Sequence, residues 1–282
     1  MSYNISSKSL NNPLLFELLE KLSAFFKSIG SEFYIIGATA RDIIISGIHD
    51  HEVGRTTADL DIAIAIPDWS IFQEISSALI KIEGFHKSEK LQQRFYYKRD
   101  FKLDIVPFGE IAKADNKIYW PPEENFAMSV IGFTQVAKYT LEVEIDNKLT
   151  VNVASLPGIY LLKLAAWRDR NIETNKDADD MAFIISVYLD INMERAALNH
   201  YDLFESEAFT TFISGATLLG RDISDILQGN PEIKNEFIGI LQDELEKELE
   251  GRLINQILET HQSLKYEEVH DALLSMNNEL NK

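Results

Sequence analysis

The chain contains no cysteine, which excludes disulfides and thiolate metal sites and fits a cytoplasmic protein. It also has no uninterrupted apolar run long enough to span a bilayer and no charged-then-apolar stretch at its start, so no membrane association is expected. Positive charge is scarce: 27 Lys and Arg stand against 45 Asp and Glu, for a net charge of −18. That balance argues against broad attraction to nucleic acid or anionic lipid, and a nucleic-acid substrate would need a local basic patch. The excess of acid is uneven, since residues 229–282 hold 12 acids and 5 bases. Repeats and low-complexity linkers are absent as well. What remains is 282 residues, 45% hydrophobic, enough for one large domain or two ordinary ones that pack together.

The stretch from Arg55 to Ile66 concentrates the chemistry. In an extended chain Leu60, Ile62, Ile64 and Ile66 fall on one face, and Asp59, Asp61, Ala63 and Ala65 on the other. Two like charges on one face need a cation, a proton or solvent to relieve them, so the pair reads as a magnesium site or a solvated strand end. Other acid-x-acid triplets occur at Glu142/Glu144/Asp146 and Glu244/Glu246/Glu248, so context has to decide.

The periodicity predicts a helix over 12–29, a strand over 32–36, and then Gly37 followed by a helix from Ala38 to Ser46 closed by Gly47. Strand, glycine, helix is a geometry in which backbone amides can meet a phosphate; an ordinary tight turn uses the same glycine. A polar loop over 49–57 leads to the acidic strand, and a helix is expected over 69–82. Strands over 94–98 and 102–107 are joined by a turn at Arg99-Asp100. Asp104 interrupts the second of these; a lone strand Asp is usually at an edge or capped, but here it could complete a two-metal site. Ile118 to Pro122 reads as a loop or strand end with Trp120 packing, and 133–145 with 149–153 as a hairpin turning at Asp146-Asn147. From Leu156 the pattern is helical: a helix over 156–170 with Lys163, Trp167 and Arg170 on one side, another opening near Asn175, and three or four more from Met193, punctuated by Gly220, Gly229 and Pro231.

The order strand, Gly37-Ala38, helix, Asp59-x-Asp61, then Asp104 on a later strand resembles the nucleotidyltransferase superfamily of DNA polymerase β. The local detail is similar to bacterial abortive-infection AbiEii-type toxins, through Arg55-x-Thr57-x-Asp59-Leu60-Asp61, Leu103 to Gly109, Lys163 with Arg168 or Arg170, and Lys176-Asp177-x-x-Asp180. The run Gly37 to Asp42 also looks like the opening of tRNA CCA-adding enzymes. The resemblance implies an α+β protein: a mixed-sheet nucleotidyltransferase core flanked by helices over 1–154, and a mostly α-helical domain over 155–282 completing the nucleotide and acceptor site. It implies transfer of a nucleoside monophosphate from an NTP to an acceptor hydroxyl, with release of pyrophosphate. Two Mg²⁺ ions would be held by Asp59, Asp61 and Asp104. Gly37, Ala38, Thr39, Arg41, Arg55, Thr57, Lys163, Asp177 and Asp180 would bind nucleotide, without a choice between the last two. Ala38 departs from the usual Ser or Gly, so Thr39 or a backbone amide would make the phosphate contact.

Plainer readings stand beside these. Arg41 and Asp42 form a solvated helix pair, Arg55 anchors its loop, Lys163 snorkels to the surface, and the acids near 177–180 complement a helix dipole. The expected acceptor is tRNA or another macromolecule, with an antitoxin partner. The alternatives are a small-molecule, aminoglycoside-type transferase and a non-catalytic nucleotide-binding or interaction module.

Overall fold

The computed structural model describes residues 2–10, 12–52, 59–98, 101–124, 126–205 and 209–282. The chain divides into two compact units, Met1–Ser155 and Leu156–Lys282. The architecture is α+β, with a mixed sheet in the first unit and helices throughout the second.

In the first unit the elements run β1 (Ser2–Ile5), α1 (Pro13–Ser28), β2 (Tyr34–Ile36), α2 (Gly37–Asp42), β3 (Asp59–Ala65), α3 (Trp69–Leu79), β4 (Phe85–Lys87), β5 (Arg94–Tyr97), β6 (Phe101–Phe108), β7 (Lys117–Tyr119), β8 (Ala127–Ser129), α4 (Phe133–Val136), β9 (Thr140–Ile145) and β10 (Leu149–Ala154). Eight strands form one sheet in the order β1-β9-β10-β2-β3-β6-β5-β4, and β7 pairs with β8 apart from it. Asn12 opens α1 by accepting from the Leu14 amide, and Pro13 follows where no amide partner is needed. The helix buries Leu15, Leu18, Leu19, Leu22, Phe25 and Phe26, each contributing roughly 1.5–3 kcal/mol. Asp68 caps α3 by accepting from the Ser70 and Ile71 amides. Trp120 packs on Trp69 and Phe72, ring centroids 4.8 and 5.3 Å apart, so it is a core side chain.

Several expectations are corrected. The helix after β2 starts at Gly37 itself and does not stop at Gly47: it widens into a π-helical segment, Ile43–Ile48. A Cβ at Gly47 would meet the end of the Ile5 side chain at 3.3 Å. Residues 133–139 are not strand. Gly132, left-handed at φ 83°, starts α4 and a tight turn follows over Ala137–Tyr139, with Phe133 and Val136 three apart on the buried side. Only 140–145 pairs with β10, and the hairpin turns through Asp146 and Asn147, both at positive φ. The turn expected at Arg99-Asp100 lies outside the described residues.

The second unit holds α5 (Leu156–Arg170), α6 (Lys176–Ile191), α7 (Met193–Asn199), α8 (Thr211–Ile226), α9 (Pro231–Glu246), α10 (Arg252–Thr260) and α11 (Tyr266–Leu280), so among the described residues five helices run from Met193 onward rather than three or four. Gly220 does not punctuate; it lies within α8, where a Cβ would meet the Met276 backbone of α11 at 3.0 Å. Gly215, one turn earlier, lets the Ile185 carbonyl of α6 approach in the same way. No helix of the described residues is long and apolar enough to cross a membrane.

Candidate active site

Leu60, Ile62 and Ile64 of β3 are fully buried, which fixes the opposite face for Asp59 and Asp61. Three pairings then align one row across the sheet. Ile36 of β2 pairs with Asp61 of β3, Asp61 with Asp104 of β6, and Asp104 with Arg94 of β5. Neighbouring strands lie about 4.8 Å apart, so the Asp61 and Asp104 carboxylates start side by side. Asp104 is therefore on a central strand, not at an edge.

Gly37 comes directly after Ile36, at φ +69°, and a Cβ there would run into the Asp61 carboxylate. Both the backbone conformation and the space demand glycine at this one position. Thr39 is buried, and its hydroxyl donates to the Asp59 carbonyl at 2.7 Å, tying α2 to the acidic strand. Ala38 and Arg41 are buried too. Arg41 is not a solvated residue: its Nε and Nη2 donate to Asp42 Oδ1 at 2.8 and 2.6 Å with almost no exposure. Arg55 and Thr57 lie outside the described residues.

Arg94 is a site residue that the sequence reading missed. Its Nε donates to Asp104 Oδ1 at 2.8 Å and its Nη2 to Oδ2 at 2.7 Å, a two-point fork on the carboxylate. These hydrogen bonds raise the pKa of the guanidinium, partial burial opposes the rise, and the charges of Asp104 and Asp61 add to it. The signal was available: counting back from a turn near residue 99 puts Arg94 opposite Asp104.

In the second unit Lys163 does not snorkel. Its Nζ lies 3.1 Å from Asp177 Oδ1 and 2.6 Å from Asp180 Oδ2, both acids being buried. Arg170, one side of α5 further along, donates to Asp177 through Nε at 2.7 Å and Nη2 at 2.8 Å. Burial alone would push the Asp177 carboxyl up. Arg170 and Lys163 outweigh it and hold the group below the usual carboxylate range. Arg168 turns elsewhere, to Glu236 at 2.9 Å, and Trp167 donates to Gln256 at 2.8 Å. Lys163, Arg168 and Arg170 are thus each engaged by acids and do not form an unopposed basic patch.

Among the described residues no three His, Asp or Glu side chains converge into a ready-made metal cage. The donors do suit Mg²⁺. They are carboxylates only, two are side by side, the glycine makes room for the Asp61 carboxylate, and a guanidinium already stands as a cation on Asp104. Magnesium commonly takes one or two protein carboxylates and fills its shell from substrate phosphates and water.

An α+β fold with a glycine turn set beside a D-x-D strand is the arrangement that the resemblance to nucleotidyltransferases implies. The chain belongs to the AbiEii family, whose profile, "Nucleotidyl transferase AbiEii toxin, Type IV TA system", matches residues 21–273. It is a nucleotidyltransferase enzyme by that membership. No curated protein is found to match it. Among solved structures it is similar to the crystal structure of ANT(2'')-Ia in complex with adenylyl-2''-tobramycin, at TM-score 0.37 and 15% identity over 66% of this chain and 97% of that one. The solution structure of antibiotic-resistance factor ANT(2'')-Ia is similar at TM-score 0.36 and 17% identity, over 67% and 94%. At these scores the likeness carries no functional argument.

Proposed function

We propose that this enzyme transfers a nucleoside monophosphate from an NTP to an acceptor hydroxyl in the cytoplasm, releasing pyrophosphate, with Asp59, Asp61 and Asp104 holding Mg²⁺. The observation that carries the reading is the in-register pair Asp61 and Asp104 on adjacent strands, with Gly37, directly after the Ile36 partner of Asp61, packed against the Asp61 carboxylate. Bound magnesium would offset triphosphate charge and lower the pKa of the attacking hydroxyl. Asp104 would accept the proton of that hydroxyl at a carboxylate oxygen.

The backbone amides from Gly37 through Thr39 would receive the triphosphate, and the missing side chain at Gly37 lets them lie against the Asp61 carboxylate. The Thr39 hydroxyl proton is already given to Asp59, so the backbone makes the phosphate contact in place of the serine that Ala38 replaces. Arg41, Arg55 and Thr57 would complete the nucleotide site of the first domain, residues 1–154. The helical domain, residues 155–282, would complete it with Lys163. Asp177 and Asp180 then share the task of holding the Lys163 ammonium in place, instead of one of them meeting the nucleotide.

The toxin description of the family supports a macromolecular acceptor such as tRNA and an antitoxin that counteracts the enzyme. The net charge of −18 and the paired state of Lys163, Arg168 and Arg170 favour a second reading, a small cationic acceptor.

The test is calorimetric titration with each NTP, with and without Mg²⁺, for the native chain and for Asp59→Ala/Asp61→Ala. Magnesium-dependent binding that the double variant loses supports the site and names the donor for an acceptor screen. Failure of the folded native protein to bind any NTP refutes it.

A further inference from the structure

Asp104 faces two claims on the same oxygens. As a metal ligand and base it must offer lone pairs to a cation and to a proton, yet in the structure both Oδ1 and Oδ2 accept from the Arg94 guanidinium. Each carboxylate oxygen has two lone pairs, so the fork does not exhaust the group. It does fix its plane, and it places a full positive charge beside the position a metal ion would occupy. The pair is only partly exposed, 22% for Arg94 and 17% for Asp104, so water screens it incompletely. Arg94 also feels the charge of Asp61, the next carboxylate in the row.

We propose that Arg94 is a positioning residue that acts as a resident cation on Asp104. It orients the carboxylate for catalysis and weakens binding of a bare metal ion until the nucleotide brings its own negative charge. The inference rests on the metal-site reading above. Its physical content is a trade of opposite signs. Removing the guanidinium takes away a competing charge, so the empty carboxylates bind a free divalent ion more tightly. The same removal releases the plane of Asp104, and misplacing a base by about an ångström lowers turnover on the order of 100-fold. A cross-strand ion pair that only stabilised the β5–β6 hairpin would do neither of these; its loss would lower stability alone. Lysine would keep the charge but contact the carboxylate at one point, without the planar fork.

The experiment is titration of the full-length protein with Mn²⁺ alone, following free Mn²⁺ by its paramagnetic resonance signal. It compares the native chain, Arg94→Gln, Arg94→Lys, Asp61→Asn and Arg94→Gln/Asp61→Asn, each checked for native circular dichroism. Arg94→Gln is expected to bind Mn²⁺ about tenfold more tightly than the native protein. Arg94→Lys should bind a few-fold more tightly, and the double variant should lose the gain. If Arg94→Gln does not fold, Arg94→Lys alone carries the comparison. Unchanged or weaker Mn²⁺ binding by the folded Arg94 variant, while native protein binds Mn²⁺ with NTP and Asp61→Asn does not, overturns the role of Arg94 and leaves the metal site standing. Absence of Mn²⁺ binding by every form, with and without NTP, overturns both.

Discussion

Gly37→Ala tests the most constrained contact of the site, and two separate effects can be assigned to it. The first is backbone: φ is +69°, a region that an L-residue occupies at a cost of about 1–2 kcal/mol. For a unit of about 155 residues this lowers Tm by roughly 2–8 °C. The second is steric, because the new methyl meets the Asp61 carboxylate and must push it aside. Gly30 provides the control: its φ is +65°, nearly the same, and nothing lies within 4 Å of a Cβ placed there. Gly30→Ala should therefore show the backbone effect alone, with transfer activity preserved. Gly37→Ala should lose at least the same stability, and its turnover should fall on the order of 100-fold as Asp61 is displaced. Urea unfolding followed by circular dichroism measures the first quantity, and pyrophosphate release with NTP and acceptor measures the second. Equal activity of the two variants would refute the claim that this glycine is kept small for the carboxylate.

Three further outcomes are expected. Thr39→Val leaves the Asp59 carbonyl without its donor and should destabilise by about 1 kcal/mol, while Thr39→Ser does not; calorimetry should find NTP affinity within a few-fold of native in both, and a large loss in Thr39→Val alone would put the hydroxyl on the phosphate. Gly215→Ala forces a methyl to 2.6 Å from the Ile185 carbonyl and should destabilise by roughly 1–3 kcal/mol in urea, the price of separating α6 from α8. Asp177→Asn should destabilise by about 3 kcal/mol at pH 7. Since the folded pKa of Asp177 lies below its unfolded value of about 3.9, its stabilisation is present above that pH and is lost as the pH falls through the folded value. Native and variant should converge in urea midpoint below pH 4, and a constant gap across that range would contradict the pairing.

The acidic strand was legible because four alternating apolar residues dictate which face Asp59 and Asp61 share, and a register with a buried face hardly slips. Helix α5 was legible from end to end because fifteen residues rich in Leu, Ala, Lys and Arg carry helix propensity over a long run, although the helix is buried on nearly every side and shows little periodicity. Residues 133–139 were misread because two short helical turns leave no period to detect, and the glycine that starts them looks like any loop glycine. Strands β1 and β4 went unnoticed: the four residues of β1 pair with a strand some 140 positions away, and the three of β4 are too few to show alternation. The ion pairs of Lys163 were hidden for another reason. On its own helix it sits among apolar neighbours, and the two acids that hold it arrive from the next helix. Gly220 looks like a stop but allows close approach of the α11 backbone, which only the packed chain reveals.

The row of side chains across β2, β3, β6 and β5 has two origins. The carboxylate pair depends on the parallel match of β3 with β6, whereas the arginine is supplied by the antiparallel match of β5 with β6. Only a one-residue slip of β5 against β6 would turn the arginine to the opposite face while both acids stay where they are, and the buried Phe95 and Tyr97 resist it. The register of one hairpin thus governs how strongly the acids are masked, and it does so without involving the residues that perform the chemistry.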